Sequence, residues 1–468
     1  MSGAPTLSRR GGGAIVTVAA LSAMFGALLV QTIADVAAAL QALGQGDAGI
    51  LQVMLMSIAM LFFGISIYVG GIVTANSVST VIAGRTREIA LLRLLGASGS
   101  SLRRGIVRSG LVQGVLGGLI GLVAAVALTA GGVELLLHVY SLPRFDYPVV
   151  SAGLLFPVVT VVASTVIASW TGSRCVLTVT PSQAVGSSAE PRYDELRNRR
   201  SRNVFAVIFV CGGFGLLALA VLVGMITPFG LVIALCGGMA SFSGVVLGAS
   251  SVLPPLTALI GRAFGRGQVA RLATANAIRH PVRSARAVIG LVIGVTLVTM
   301  FAVGIATVFG ALNPLASGID ESHDVLVEQV ISVSTAIASV LLGFSVVLAA
   351  VGMVNTLSLS VMQRRRELGL LRSLGFTGSQ VRALVILEAA QMIITATLIG
   401  LVLGVLYGWS GAVSLLGSLP GVGVVPPTIP VPILVSVLLV ATVITVVSAV
   451  LPARRATRVS PVEALAVS

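Results

Sequence analysis

The residue types that most often do chemistry are sparse in this 468-residue chain, and their spacing is wrong for it. All 29 basic residues are arginine. A phosphate-cradling Walker A loop needs a lysine to reach the nucleotide phosphates, so the sequence predicts no standard ATP site. The three cysteines, Cys175, Cys211 and Cys236, form neither a CxxC pair nor an even framework, which argues against a disulfide scaffold or a zinc site. The three histidines lie far apart and match no metal-ligand spacing. The acidic run Asp320-Glu321-Ser322-His323-Asp324 has the chemistry of a cation site, but exclusion of positive charge from one side of a membrane explains it more simply. Glu388 falls about one turn inside an apolar run whose counterpart carries Ser109. A proton-coupled carrier needs ionisable groups near mid-membrane, and no other apolar run offers a carboxylate there. No catalytic, cofactor-binding or metal-ligating residue is predicted.

What remains is a set of charged and apolar residues that occurs twice. Asn76 to Arg103 reads NSVSTVIAGRTREIALLRLLGASGSSLR, and 279 residues later Asn355 to Arg382 reads NTLSLSVMQRRRELGLLRSLGFTGSQVR without a gap. Asn76 pairs with Asn355, and Arg85 with Arg364. Arg87 and Glu88 pair with Arg366 and Glu367, Leu91, Leu92 and Arg93 with Leu370, Leu371 and Arg372, and Gly96 with Gly375. The register continues into the next apolar run and closes again where Arg174 to Val185 matches Arg454 to Leu465 at an offset of 280. Apolar sequence aligns by chance, but matched charges and glycines do not.

Each copy reads as a short helix that ends at glycine and is followed by a capped helix. Gly96 and Gly375 suit the residue after a helix C-terminus, and Ser98 and Thr377 suit the N-cap of the next helix. Such a helix can bury its leucines, among Ile89, Leu91, Leu92, Leu94 and Leu95, in a partner's groove while its charges fix register. The alternative is a helix held at lipid headgroups by arginine; Glu88 and Glu367 do not improve contact with anionic lipid.

The elements that position these motifs are membrane spans. Hydrophobic residues make up 56% of the chain and charged residues 9%, against about 25% charged in a soluble domain. The mean hydropathy is +1.07. Ten runs are long enough to cross a bilayer: 13–33, 50–79, 105–130, 148–171, 203–224, 229–251, 286–310, 330–360, 384–409 and 430–452. The net charge of +14 comes from arginines clustered in alternate loops. That distribution reads as topology, not as a nucleic-acid surface, and places both termini in the cytoplasm. The remaining loops carry acids and are too short for an independent folded domain. No cleavable leader is apparent. The organisation expected is an all-α membrane protein with a four-span repeat at 1–188, a linker and two-span hairpin at 189–270, and a second repeat at 271–468. The hairpin turns at Thr227-Pro228-Phe229-Gly230. Six spans separate equivalent points, so the repeats are parallel, with a pseudo-two-fold axis along the membrane normal. Gly117 with Gly121, and Gly400 with Gly404, suit close helix packing. Asn76 and Asn355 either bond locally or meet across the pseudo-symmetric centre.

The duplicated motif, with the closing RRATRVSPVEAL, resembles the signature of FtsX-like ABC permeases, the group that includes MacB, the lipoprotein-release permeases and the bacitracin-type efflux permeases. The segment Ala275 to Leu291 resembles the basic helix that leads into the first span of such units. The resemblance covers nearly all of 1–188 and 271–468. It implies that the helices at 85–96 and 364–375 are coupling elements seated on a separate cytoplasmic ABC ATPase, two copies per chain, with ATP and Mg on that partner. It implies the bacterial inner membrane and export or extraction of an amphipathic or lipid-like compound, drug or peptide. The alternative is a mechanical regulator acting on an extracytoplasmic partner such as a cell-wall hydrolase or a sensor. The chain departs from the best-known members in lacking a large extracytoplasmic domain, and in its first closing motif Cys175 and Leu177 replace Arg and Thr.

Overall fold

A computed structural model describes residues 9–42, 63–65, 67–76, 78–79, 82, 86–140, 152–178, 200–227, 229–265, 267–279, 281–316, 370–417, 423–432, 435 and 439. Among them the regular structure is helical, with no strand. The chain divides into two units, Met1–Ser188 and Ala189–Ser468.

The first unit contains α1 (Arg9–Ala42), α2 (Phe63–Asn76), α3 (Thr86–Leu94), α4 (Gly99–Tyr140), α5 (Leu155–Gly172) and the single turn α6 (Cys175–Thr178). Its centre is α4, whose glycines form two seams. Gly110, Gly114 and Gly118 meet Ser169, Thr165 and Val158 of α5. Gly117 and Gly121 meet the backbone of α1 at Val16, Ala20 and Met24. Lipid offers leucine no reason to leave it, so helices in a bilayer associate where small residues let backbones approach. The spacing of four keeps each glycine set on one face of the helix. Sequence placed the third span at 105–130; the structure continues the helix without a break for 42 residues.

The second unit contains α7 (Arg200–Gly224), α8 (Gly230–Gly261), α9 (Gln268–Arg279), α10 (Pro281–Ala316), a helical turn at 370–373, and α11 (Gly378–Leu416). Residues 288–299 of α10 are buried without interruption, as expected of a helix that is apolar all round. Gly400, Gly404 and Gly408 of α11 rest on Val295, Thr299 and Met300 of α10. The α7–α8 hairpin closes where Gly213 meets Ser241 and Gly244 meets Val210. It packs on this unit's α11: the Ser241 and Tyr407 hydroxyls are 2.8 Å apart, and the rings of Phe214 and Tyr407 stack with centroids 6.5 Å apart.

Six helices among the described residues are long and apolar enough to cross a membrane, within 99–132, 155–172, 201–224, 230–264, 284–311 and 378–416. The chain is a multi-pass membrane protein. Shorter apolar helices occupy Ile15–Gln31 and Phe63–Asn76. The expected span at 330–360 and most of that at 430–452 lie outside the described residues.

The seams give a direct test. A Cβ at Gly121 would collide with the backbone of α1, including the amide nitrogen of Met24 at 2.8 Å, whereas at Gly131 nothing lies within 4 Å. Gly121→Val should lower thermal stability in detergent by about 1–3 kcal/mol, and Gly131→Val should leave it unchanged or slightly raised. Equal melting of the two variants would contradict the packing.

Candidate functional site

The duplicated motif folds into the same elbow in each unit. In the first, α3 ends with Gly96 at φ 94°, a conformation that glycine adopts without strain. The Gly96 amide donates to the Arg93 carbonyl at 3.1 Å and the Ala97 amide to the Leu92 carbonyl at 2.9 Å. This pair of bonds is a Schellman termination. The chain then reverses into α4, where the Ser101 amide donates to Ser98 Oγ at 3.2 Å. In the second unit Gly375 has φ 96°. Its amide donates to the Arg372 carbonyl at 3.1 Å and the Phe376 amide to the Leu371 carbonyl at 3.0 Å. The Gln380 amide donates to Thr377 Oγ1 at 3.3 Å. Each of these bonds has its counterpart 279 residues away.

The copies differ at one cap. Gln380 reaches back to accept from the Thr377 amide at 2.9 Å, completing a capping box. Ser101 stands there in the first copy and is too short; its hydroxyl donates to the Ser98 carbonyl at 2.9 Å instead.

Helical geometry divides the leucines of each elbow between two faces. Ile89 and Ala90 are buried with Val78, Ile82, Leu102, Ile106 and Val176, and Leu92 and Ala97 pack against that group. Leu91, Leu94 and Leu95 face outward, Leu95 being 84% exposed. In the second elbow Leu371 and Phe376 pack on Val381, Val385 and Ala389, while Leu370 and Leu374 face outward, Leu374 at 71% exposed. Sequence grouped these leucines as one apolar set; the structure assigns Leu92 and Leu371 to the fold and leaves the others unpartnered among the described residues. Arg93 and Arg372 are half-buried at matching places, and a Cβ on Gly99 would stand 3.9 Å from the Arg93 guanidinium carbon.

Arg87 and Glu88 lie in the first turn of α3. Arg85, Asn355, Arg364, Arg366 and Glu367 are outside the described residues. Asn76 ends α2, and its carbonyl accepts from Ser79 Oγ at 2.9 Å. Gly117, Gly121, Gly400 and Gly404 lie in the interhelical seams, away from the elbows.

Two polar contacts were not visible in sequence. Glu388, 6% exposed, accepts from Asn276 Nδ2 of α9 at 2.6 Å. This ties the basic helix that leads into α10 to α11. Among the described residues its counterpart Ser109 accepts from Gln113 of its own helix, at 3.1 Å. The other contact is Trp170, which carries arginines from two elements, Arg103 and Arg174. A tryptophan at the arginine-rich end of a span was the available signal. Among the described residues no group of His, Cys, Asp or Glu could hold a metal ion, and Cys211 and Cys236 are free thiols on α7 and α8.

A sequence profile described as the FtsX-like permease C-terminal domain matches residues 60–181 and again 339–461. Relatives include the uncharacterized ABC transporter permease MJ1507 of Methanocaldococcus jannaschii, 29% identical over 30% of this chain and 34% of its own length. The uncharacterized ABC transporter permease YknZ of Bacillus subtilis is 29% identical over 32% of this chain and 37% of its own length. The macrolide export ATP-binding/permease protein MacB of Photorhabdus laumondii is 35% identical over 26% of this chain and 18% of its own length. The chain thus spans about a third or less of the length of these relatives. Two profile matches, each containing one copy of the elbow, establish that the chain belongs to the FtsX-like permease family and carries its domain twice.

Proposed function

We propose that this chain is the transmembrane subunit of an ABC transporter. A separate cytoplasmic ATPase seats on the elbows at 85–96 and 364–375, and its ATP-driven dimerisation moves the helices joined to them. The cargo is an amphipathic or lipid-like compound, drug or peptide, exported across or extracted from the bacterial inner membrane. The carrying observation is the duplicated elbow. Two capped turns with the same hydrogen bonds present outward leucines at matching positions, in a chain whose relatives are named ABC transporter permeases. Outward leucines grouped on a turn, at matching positions in both copies, favour a surface that a partner covers. The absence of lysine from the sequence supports placing ATP and Mg on the partner. Two elbows in one chain support two ATPase copies per chain, with two parallel four-span repeats about a pseudo-two-fold axis, the hairpin, and ten spans in all.

Leu95→Glu and Leu374→Glu test the docking. Both side chains point away from the fold, so protein yield and melting should be unaffected. Losing one buried leucine from an interface costs about 1.5–3 kcal/mol, so capture of the chain's co-expressed ABC ATPase partner should fall by about ten- to a hundredfold. Glu88→Arg and Glu367→Arg should weaken capture in the same direction through like-charge contacts. Unchanged ATPase recovery in all four variants would refute the coupling role.

The stoichiometry follows from the duplication. Native mass measurement of the assembled complex should give one membrane chain with two ATPase chains. Two membrane chains per ATPase dimer would contradict it.

The arginine distribution supports an orientation with both termini in the cytoplasm. Single cysteines at positions 93 and 372, in a cysteine-free background, should be shielded from an impermeant thiol reagent applied to intact cells. Cysteines at positions 134 and 324 should react. Labelling of position 93 from outside would overturn the topology.

A further inference from the structure

The outer surface of the first unit leads into a cationic cluster. Along α5 an apolar stripe of Phe156, Val159, Ile167 and Trp170 is 46–65% exposed, at the spacing of one helix face. At its end the Arg103 guanidinium stands 4.3 Å from the centroid of the Trp170 ring. The guanidinium of Arg174, just beyond α5, stands 5.0 Å from it. Arg103 is held in place: Nη2 donates to the Trp170 carbonyl at 2.8 Å and Nε to Ser173 Oγ at 3.4 Å. Arg174 is exposed and, among the described residues, joins the cluster only through the indole. Two cations on one ring repel each other, and neither forms an ion pair among the described residues.

We propose that this cluster binds the phosphate of an anionic glycerophospholipid whose acyl chains lie along the α5 stripe. The proposal rests on this end of the bundle lying at a membrane face. Guanidinium matches a phosphodiester in charge and in hydrogen-bond geometry, and tryptophan prefers the level of the headgroups. An apolar stripe running into two arginines matches a molecule that is apolar at one end and anionic at the other. The second copy of the repeat lacks the indole. At the repeat offset, valine stands at position 450 in place of Trp170, and Arg382, the counterpart of Arg103, turns back so that its Nε donates to the Gly378 carbonyl at 3.3 Å.

The test is native mass spectrometry of the purified full chain in detergent, titrated with phosphatidylglycerol or with phosphatidylcholine of the same acyl composition. The wild type should retain one phosphatidylglycerol in preference to phosphatidylcholine. Arg174→Gln removes no side-chain hydrogen bond among the described residues and should lower that retention about fivefold with unchanged melting. Arg271→Gln, at an exposed arginine of α9, should have no effect. Millimolar inorganic phosphate should not displace the lipid. Equal retention of the two lipids, displacement by phosphate, or wild-type retention in Arg174→Gln would each overturn the proposal. ATPase capture is measured on the same samples. Loss of capture in Arg174→Gln with lipid retention intact would assign the cluster to the partner interface and overturn the lipid site. A wild type that captures no ATPase yet retains phosphatidylglycerol would leave the lipid site standing and overturn the transporter reading alone.

Discussion

Close approach of one helix backbone to another, at glycine, is the contact on which the rest of this bundle depends. In water, apolar side chains would drive the helices together; beside lipid that gain vanishes, because hydrocarbon surrounds the side chain either way. What remains is packing, and packing is densest where no Cβ intervenes. Gly117 and Gly121 let α1 onto α4, Gly110, Gly114 and Gly118 let α5 onto its other side, and Gly400, Gly404 and Gly408 do the same between α10 and α11. The elbows rise from helices held in this way. A force applied at an elbow would therefore act on a helix held at its glycine seams, and would reach the neighbouring helix by contact.

Much of this was legible in the sequence because the signals are local. A glycine that ends a helix, a hydroxyl residue two positions later and a cluster of arginines each carry meaning without knowledge of the fold. Duplication at a fixed offset raised those weak signals above chance. The positive φ of Gly96 and Gly375 and the Ser98 and Thr377 caps are of this kind. The division of Leu91 from Leu92 is not. Both are leucine, both lie in the motif, and only the position of α4 and α6 decides which one is covered. The docking of the α7–α8 hairpin on α11 was equally invisible, since Ser241 and Tyr407 are 166 residues apart and neither residue type announces a partner. Asn276 and Glu388 met for the same reason: periodicity reports a face, and tertiary structure alone reports what lies against it.

The two elbows are alike in backbone and unequal in support. The second has the completed capping box and, nearby in sequence, a buried carboxylate clasped to a basic helix. The first has a shorter cap residue and an arginine pair resting on an indole. A capping box satisfies two orphan amides where a single cap satisfies one, so the second elbow is the stiffer start to its helix. The first is anchored through cation–π contact and arginine hydrogen bonds to α5 and the turn after it. Equal loads from a symmetric partner would therefore meet unequal resistance.

The unbroken run of α4 has a mechanical consequence. At 1.5 Å per residue its 42 residues extend about 63 Å, roughly twice the thickness of a hydrocarbon core. It is a lever with its fulcrum among the glycine seams and its handle at the Gly96 elbow. Pivoted near Gly117, a tilt of about 5° would carry the far end at Tyr140 sideways by about 3 Å. A short stroke at the elbow would thus arrive at the far end of the helix as an opposite displacement of similar size.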